Sequence, residues 1–456
     1  MKVPWTVPAS FVAMCAATAP AACSSEGSTG NWSFSGSDAS AEEGGSSGTS
    51  SSSSTSSGSG TSSGGTSSGT SSGASSSGTA SSTSSGTTGS SSGSGTSSSG
   101  MSSGTTSSSS SGSSGPSPDA GTVILGDGGA PCSGNEDVAG GFPAGFWDSS
   151  NISTGTGAMV FKFLNRTNGK YQDSELYWSF QNSTLNINET HSLAEMPSYD
   201  MPAPPPGYNG RMYFYICPTG SPASCPGSQG KTDYYDFIEF ALGTNNTGPK
   251  YWINYDTTRV DAFAIKLALD LHVTTGPDYY IGENCPTFAE DRAATFASYV
   301  SSVPAPFQPC GQPPNAPYRI PEPGGGCGFN AGGPNADYYN SFIAQMWTNN
   351  GITVPMPGPN GSGLGAYPSL SAAIFRHVGA AAGTWNADGS LKDNNFWQVN
   401  TESTFYSAAP ADYYASWIHS RAIHNKQYAF PYDDAGGNSS DVGASGMVYM
   451  LVAMGW

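Results

Sequence analysis

The sequence predicts a mainly β protein with a mixed α/β portion set late in the chain, and three observations carry that expectation. Short runs rich in aromatic and branched residues recur between Gly, Pro and Asn clusters, as strands do. Over residues 263–273, Phe263, Ile265, Leu267, Leu269, Leu271 and Val273 alternate with Ala264, Lys266, Ala268, Asp270 and His272, the period of a half-buried strand. Helical spacing appears only after Cys285.

In chain order, strands are expected at 158–165, 211–217 and 236–242, and then at 263–273. Thr287-x-x-Glu290 is a capping-box signature, and Phe288, Phe296, Tyr299 and Val300 follow at helical spacing, predicting a helix over 288–300. Two more helices are expected at 336–348, from Tyr338, Phe342, Ile343, Met346 and Trp347, and at 411–424, from Tyr414, Trp417, Ile418 and Arg421. Strands return at 427–432 and 447–454. The plan is a β body over 135–285 rejoined by 425–456, with a helix-containing domain over 286–424 between them.

Ahead of that body, Lys2 precedes an apolar run, Val12 to Ala17, and small residues ending Pro20-Ala21-Ala22-Cys23, the plan of a secretory signal over 1–23. The run falls short of the about 20 apolar residues that a spanning helix needs. Ala-Ala-Cys followed by Ser24-Ser25 resembles a bacterial lipoprotein cleavage site at which Cys23 would be acylated, although Pro20 stands where an aliphatic residue is usual; plain secretion is the alternative. Residues 24–134 are overwhelmingly Ser, Gly and Thr. With so little to bury they cannot offset their conformational entropy, and they are expected to form a disordered linker.

Charge narrows the partners. The chain has 33 acids against 15 bases, and the part from Asn135 onward keeps 27 against 14. Nucleic acid demands clustered Lys and Arg, and an anionic membrane face attracts the same, so both are excluded. Only 11% of residues are charged while 12% are aromatic, which suits a neutral polar ligand such as a sugar. Cys132, Cys217, Cys225, Cys285, Cys310 and Cys327 suggest up to three disulfides in an exported chain, with Cys217 and Cys225 stapling a loop to a strand end. No Cys-x-x-Cys or His-Glu-x-x-His is present, so neither a metal nor another cofactor is expected, and nothing points to an oligomer rather than a monomer.

There is no Gly-x-Ser-x-Gly elbow, phosphate loop or dinucleotide fingerprint, which leaves the acids. Glu239 lies in the apolar run Tyr235 to Leu242, where Ile238, Phe240 and Leu242 take one face and Glu239 shares the other with Phe237 and Ala241. A carboxyl so placed either is paired or has the raised pKa a general acid needs; the alternative is that it faces solvent on an edge strand. Asp256 and Asp261 stand just before the long strand, where two carboxylates could share one cleft with Glu239; loop Asp residues also cap and turn. Asp433 and Asp434 end the expected strand at 427–432.

Together IEFAL (238–242), the Asp-x-x-x-x-Asp pair of YDTTRVDAF (255–263) and YAFPYDD (428–434) resemble the thaumatin-like β-sandwich or barrel pattern, in which a Glu and several Asp line an acidic cleft. The overall order is similar to the family 64 glycoside hydrolases, the laminaripentaose-producing β-1,3-glucanases, where such a barrel is followed by a mixed α/β domain across a wide cleft. Trp252-Ile253-Asn254 and Gly210-Arg211-Met212-Tyr213-Phe214 are shared elements. The resemblance implies an inverting endo-β-1,3-glucanase acting on β-1,3-glucan, with Glu239 as general acid and Asp261 as general base. Inversion needs the two carboxyls roughly 6.5–9.5 Å apart, leaving room for water. Sugar contacts are expected at Trp252, Asn254, Asp256, Thr258 and Asp433, with core packing as the alternative for Trp252.

The chain departs from the pattern in three places: a longer stretch between Glu239 and Trp252, two residues inserted before Val260-Asp261, and Phe263 where the family carries Trp. The cleft Arg of thaumatin-like proteins has no clean counterpart, Arg211 being offset in its strand. A non-catalytic thaumatin-like β-glucan-binding or adhesion protein is the alternative; such a binder needs neither Glu239 nor Asp261.

Overall fold

Branched and aromatic runs form strands at 159–165, 208–216, 234–244 and 447–455, close to where the sequence places them. The computed structural model describes Leu125 and residues 130–456 apart from positions 154, 156, 158, 183–184, 202–207, 219–233, 246–247 and 358–362. The expected signal, Cys23, Cys225 and nearly all of the expected linker lie outside the described residues. The strands are β1 (Met159–Asn165), β2 (Leu176–Asn182), β3 (Ile187–Ser192), β4 (Ser198–Met201), β5 (Tyr208–Ile216), β6 (Tyr234–Thr244), β7 (Tyr251–Thr257), β8 (Ala262–Phe263), β9 (Lys266–Val273) and β10 (Tyr279–Gly282). Helices follow, α1 (Cys285–Ala289) and α2 (Arg292–Ser302), then β11 (Ile320–Pro321). After it come α3 (Pro323–Gly326), α4 (Asn340–Asn350), α5 (Pro368–Phe375), α6 (Phe396–Val399) and α7 (Tyr413–His419), and the chain closes with β12 (Val442–Ser445) and β13 (Met447–Gly455).

The protein is thus mainly β, in several sheets, with short helices between. One sheet runs β10-β9-β13-β1-β4, a second runs β12-β7-β6-β5-β2-β3, and β8 pairs with β11. Among the described residues the sheets do not close into a barrel. Instead they share a core: Phe161, Phe163, Leu267, Leu269, Met450 and Val452 of the first sheet pack with Trp178, Phe214, Ile238, Phe240, Ile253 and Tyr255 of the second. Helical segments gather a separate core around Tyr299, Phe342, Trp347, Leu370, Trp385 and Tyr414.

Several elements differ from expectation for local reasons. The strand expected at 263–273 is interrupted, because the Ala264 and Ile265 N–H groups donate to Asp236 Oδ2 at 2.8 and 3.1 Å instead of to a neighbouring strand. Nor is it half-buried: β9 is covered on its second face too, where Ala268 packs with Phe142, Phe146 and Phe288. The helix expected at 288–300 is two. Asn284 caps α1 by accepting from Thr287 N, and Asp291 caps α2 by accepting from Ala294 N, so Thr287 and Glu290 form no capping box. Glu290 instead bonds Arg421 and the Thr295 hydroxyl.

The helix expected at 336–348 starts later, at Asn340, and ends where Gly351 takes the left-handed φ of 63° that favours glycine. The one expected at 411–424 runs from Tyr413 to His419, where Ser420 ends it, and a separate turn over Ile423–Asn425 follows, with His424 and Asn425 at φ near 55°. No strand forms at 427–432; Tyr428 makes a single bridge to Thr258, and the chain then turns. Pro431 has no N–H for a ladder, and Asp433 folds back to accept from Ala429 N at 2.9 Å.

Disulfides join Cys132 to Cys285 and Cys310 to Cys327, and Cys217 is disulfide-bonded as well.

Candidate active site

The period of two puts every second residue of β5, β6 and β7 on the sheet face away from the core. On that face register sets Arg211, Glu239 and Asp256 in one row, Arg211 opposite Glu239 on β5 and Asp256 opposite it on β7. Glu239 is therefore on an interior strand, not an edge, and its side chain is 7% exposed. Arg211 Nε donates to Glu239 Oε1 at 2.8 Å, while its guanidinium lies 4.5 Å from the centre of the Phe237 ring. Burial pushes the Glu239 carboxyl above its ordinary value; Arg211 pulls against that, and the charge of Asp261 adds to the rise.

Asp261 is exposed, in the turn between β7 and β8, and its carbonyl accepts from Glu322 N at 3.0 Å. The turn is held from beneath by Arg259, a residue with no accessible surface. Its Nε and Nη2 grip both oxygens of Glu283 at 2.8 and 2.7 Å, and its Nη1 meets Asp236 Oδ1 at 2.7 Å. Burial works against the guanidinium charge, but Asp236 and then Glu283 overrule it and raise its pKa. The Tyr414 hydroxyl donates to the Arg259 carbonyl at 2.6 Å, tying the turn to α7.

Beside this turn a cavity of about 100 Å³ is lined by Val260, Glu322, Tyr339, Phe375, Asp412 and Phe430. Burial pushes both of its carboxyls, Glu322 and Asp412, up to about 7.

The other expected sugar contacts divide. Trp252 is half-buried on the same face as Glu239, its indole resting on Gly243 of β6, where a Cβ would come within 2.4 Å of the ring. Asn254 and Asp256 share that face; the Asn254 side chain bonds Asp441, and Asp256 is half-buried with its Oδ1 sealed from solvent and without a hydrogen-bond partner.

Thr258 and Asp433 are not available to a sugar. Thr258 is 1% exposed, with its hydroxyl accepting from Val260 N. Asp433 is fully buried: Oδ1 accepts from Arg376 Nη2 at 2.6 Å, and Oδ2 meets His419 Nε2 at 2.8 Å as well as Ala429 N. Although burial opposes it, His419 and then Arg376 hold the Asp433 carboxyl below its ordinary value. Both residues brace the fold.

Sequence reasoning set Arg211 aside as offset in its strand, whereas the register places it opposite Glu239, and it passed over Arg259. An antiparallel alignment of Tyr208–Ile216 on Tyr234–Thr244 would have set Arg211 against Glu239. A lone Arg between Thr258 and Val260 carried no comparable signal.

A β-1,3-glucanase family model, that of glycoside hydrolase family 64, matches residues 365–451, a stretch that holds Arg376, His419 and Asp433 but neither Glu239 nor Asp261. Among solved structures, the family 64 laminaripentaose-producing β-1,3-glucanase from Paenibacillus barengoltzii is similar at 24% identity and a TM-score of 0.51, over 68% of this chain and 78% of that one. A family 64 β-1,3-glucanase domain from Clostridium beijerinckii is similar at 20% identity and a TM-score of 0.52, over 67% of this chain and all of that one. No curated protein sequence matches. The resemblance to the family 64 glycoside hydrolases is thereby borne out, by the family model over residues 365–451 and by the fold over about two thirds of the chain.

Proposed function

We propose that the chain hydrolyses β-1,3-glucan as an inverting endo-glucanase, with Glu239 protonating the leaving glycosidic oxygen and Asp261 activating water. One observation carries the reading: a buried carboxyl pushed upward, Glu239, stands within electrostatic reach of a water-exposed one, Asp261. A carboxyl whose burial favours the protonated form is placed to donate, whereas one open to water is placed to accept. The glucan is supported by the family description over 365–451 and by the Paenibacillus barengoltzii enzyme, which has been solved complexed with laminarihexaose.

Trp252 and Asn254, on the face that carries Glu239, contact the sugar, Trp252 by stacking. Trp252→Ala is expected to raise KM about tenfold with kcat within about threefold, since a contact made equally in ground and transition states changes binding alone. A larger loss in kcat than in KM would remove that role.

The same reading takes the two sheets as a thaumatin-like body, residues 135–285 with 425–456, and 286–424 as a second, mixed α/β domain across a wide cleft. The chain is exported through a signal over 1–23, is secreted or held at the surface through an acylated Cys23, and works as a monomer without metal or cofactor.

Reducing-end release from a linear β-1,3-glucan by the full chain, beside a β-1,4-glucan control, tests the activity, and proton NMR of the first anomer tests the stereochemistry. Release from the β-1,3 polymer alone, as the α anomer, is expected. The β anomer would refute inversion, and pull-down of the polymer without release would move the chain to the binding class.

A further inference from the structure

Asp256 has the most exacting surroundings of any acid on the site face. It stands directly across from Glu239 on an adjacent strand, and such cross-strand partners hold their Cβ atoms about 4.5–5.5 Å apart, where two like charges repel. On the opposite side of Glu239 stands Arg211, bonded at 2.8 Å. The row is therefore one cation and two carboxyls, and Asp256 Oδ1 is buried without a hydrogen-bond partner. Ionising both carboxyls beside one guanidinium costs several kcal/mol, so the row favours one proton retained between the two.

Arg211 presents a difficulty for the acid. A guanidinium bonded to a carboxyl stabilises its ionised form, which cannot donate. Asp256 opposes this from the other side of the row.

We propose, building on the reading of Glu239 as the acid, that Asp256 is a positioning residue that shares one proton with Glu239 across the β6–β7 pair and so keeps Glu239 protonated against Arg211. The pair releases its protons as a unit rather than residue by residue.

The groups facing the pair are few. Glu239 meets Arg211 from β5, Asp256 from β7 and Asp261 from the following turn, and Arg211 is in turn held by Tyr213. Asp256 meets Glu239, Asp441 from the segment before β12, and Arg211, while Tyr428, bonded to Asp434, senses its charge. Burial and then Glu239 push the Asp256 carboxyl well above its ordinary value, in keeping with a shared proton.

Two variants with opposite signs test this. In Asp256→Asn the repelling charge is gone and Arg211 acts alone, so the alkaline limb of kcat/KM moves to lower pH. Activity at about pH 7 is expected to fall roughly tenfold while that at about pH 5 stays within about threefold. In Arg211→Gln the pull toward ionisation is removed and the limb moves to higher pH. Misfolding cannot produce opposite displacements.

A limb that stays in place in Asp256→Asn overturns the proposal, and so does a rise in KM at every pH, which would make Asp256 a plain sugar contact. A carbon-13 carboxyl titration of the glutamate-labelled full chain, with Glu239 assigned by difference from Glu239→Gln, reads the same displacement without substrate. If the wild-type chain releases no glucan fragments, the glucanase reading fails; the titration still decides this proposal, and an unmoved Glu239 in Asp256→Asn ends it.

Discussion

Replacing Glu239 by Gln is expected to lower the rate of β-1,3-glucan cleavage by about 10²–10⁴-fold, the usual worth of a positioned general acid. Gln keeps an oxygen to accept from Arg211 Nε, so the row of side chains on the sheet persists and only the transferable proton is lost. KM should stay within about threefold, since the interaction removed belongs to the transition state. Asp261→Asn is expected to give a comparable loss through the water. Because Asp261 is exposed, the substitution should leave stability within about 0.5 kcal/mol. Initial rates of reducing-end release, with circular dichroism to establish folding, check both; near-normal rates in either folded variant would end that assignment.

Replacing Arg259 by Met is expected to cost stability rather than chemistry in the first instance. Asp236 and Glu283 are 3% and 1% exposed, and without the guanidinium each becomes an uncompensated buried carboxylate, a loss of about 3–5 kcal/mol. For roughly 300 described residues this corresponds to a fall in Tm on the order of 5 °C. The sign with pH follows from linkage. Burial has already raised Asp236 to about 6, and removing its cation raises the folded-state value further above the unfolded one. The native state then binds more protons than the unfolded state, so the deficit is smaller near pH 5 and grows as pH rises through neutrality. Calorimetry at the two pH values checks this, and a deficit under about 1 kcal/mol, or one equal at both, would contradict it.

Cleavage should fall as well, because Arg259 and the Tyr414 hydroxyl bonded to its carbonyl hold the turn that carries Asp261.

Local pattern made the strand of Glu239 legible: Ile238, Phe240 and Leu242 alternate with Phe237, Glu239 and Ala241, and the structure turns the first set into the core. The strand that carries Trp252, Asn254 and Asp256 was not expected from the sequence; pairing with β6 sets these three on the face opposite Ile253 and Tyr255. Helix ends were less legible, since Asn284 and Asp291 each offer a cap and only the packing around Glu290 decides that both are used. For β9 the alternation was real, yet the second face is also buried, because Phe142, Phe146 and Phe288 arrive from segments more than a strand away in sequence.

What the sequence by itself determined is therefore the set of faces: which residues a strand or helix can present together, because a backbone period of two or 3.6 is a local property. It also determined the charge and aromatic character that suit a neutral polymer. Only the tertiary structure decided which faces meet. It set Arg211 and Asp256 on either side of Glu239 through the register of three strands. It took Asp433 out of the acidic face by bringing Arg376, 57 residues earlier, and His419, 14 earlier, onto its two oxygens. Pairings of this kind depend on long-range packing and on the cost of leaving a buried charge unmatched, and neither is written in the residues adjacent to it.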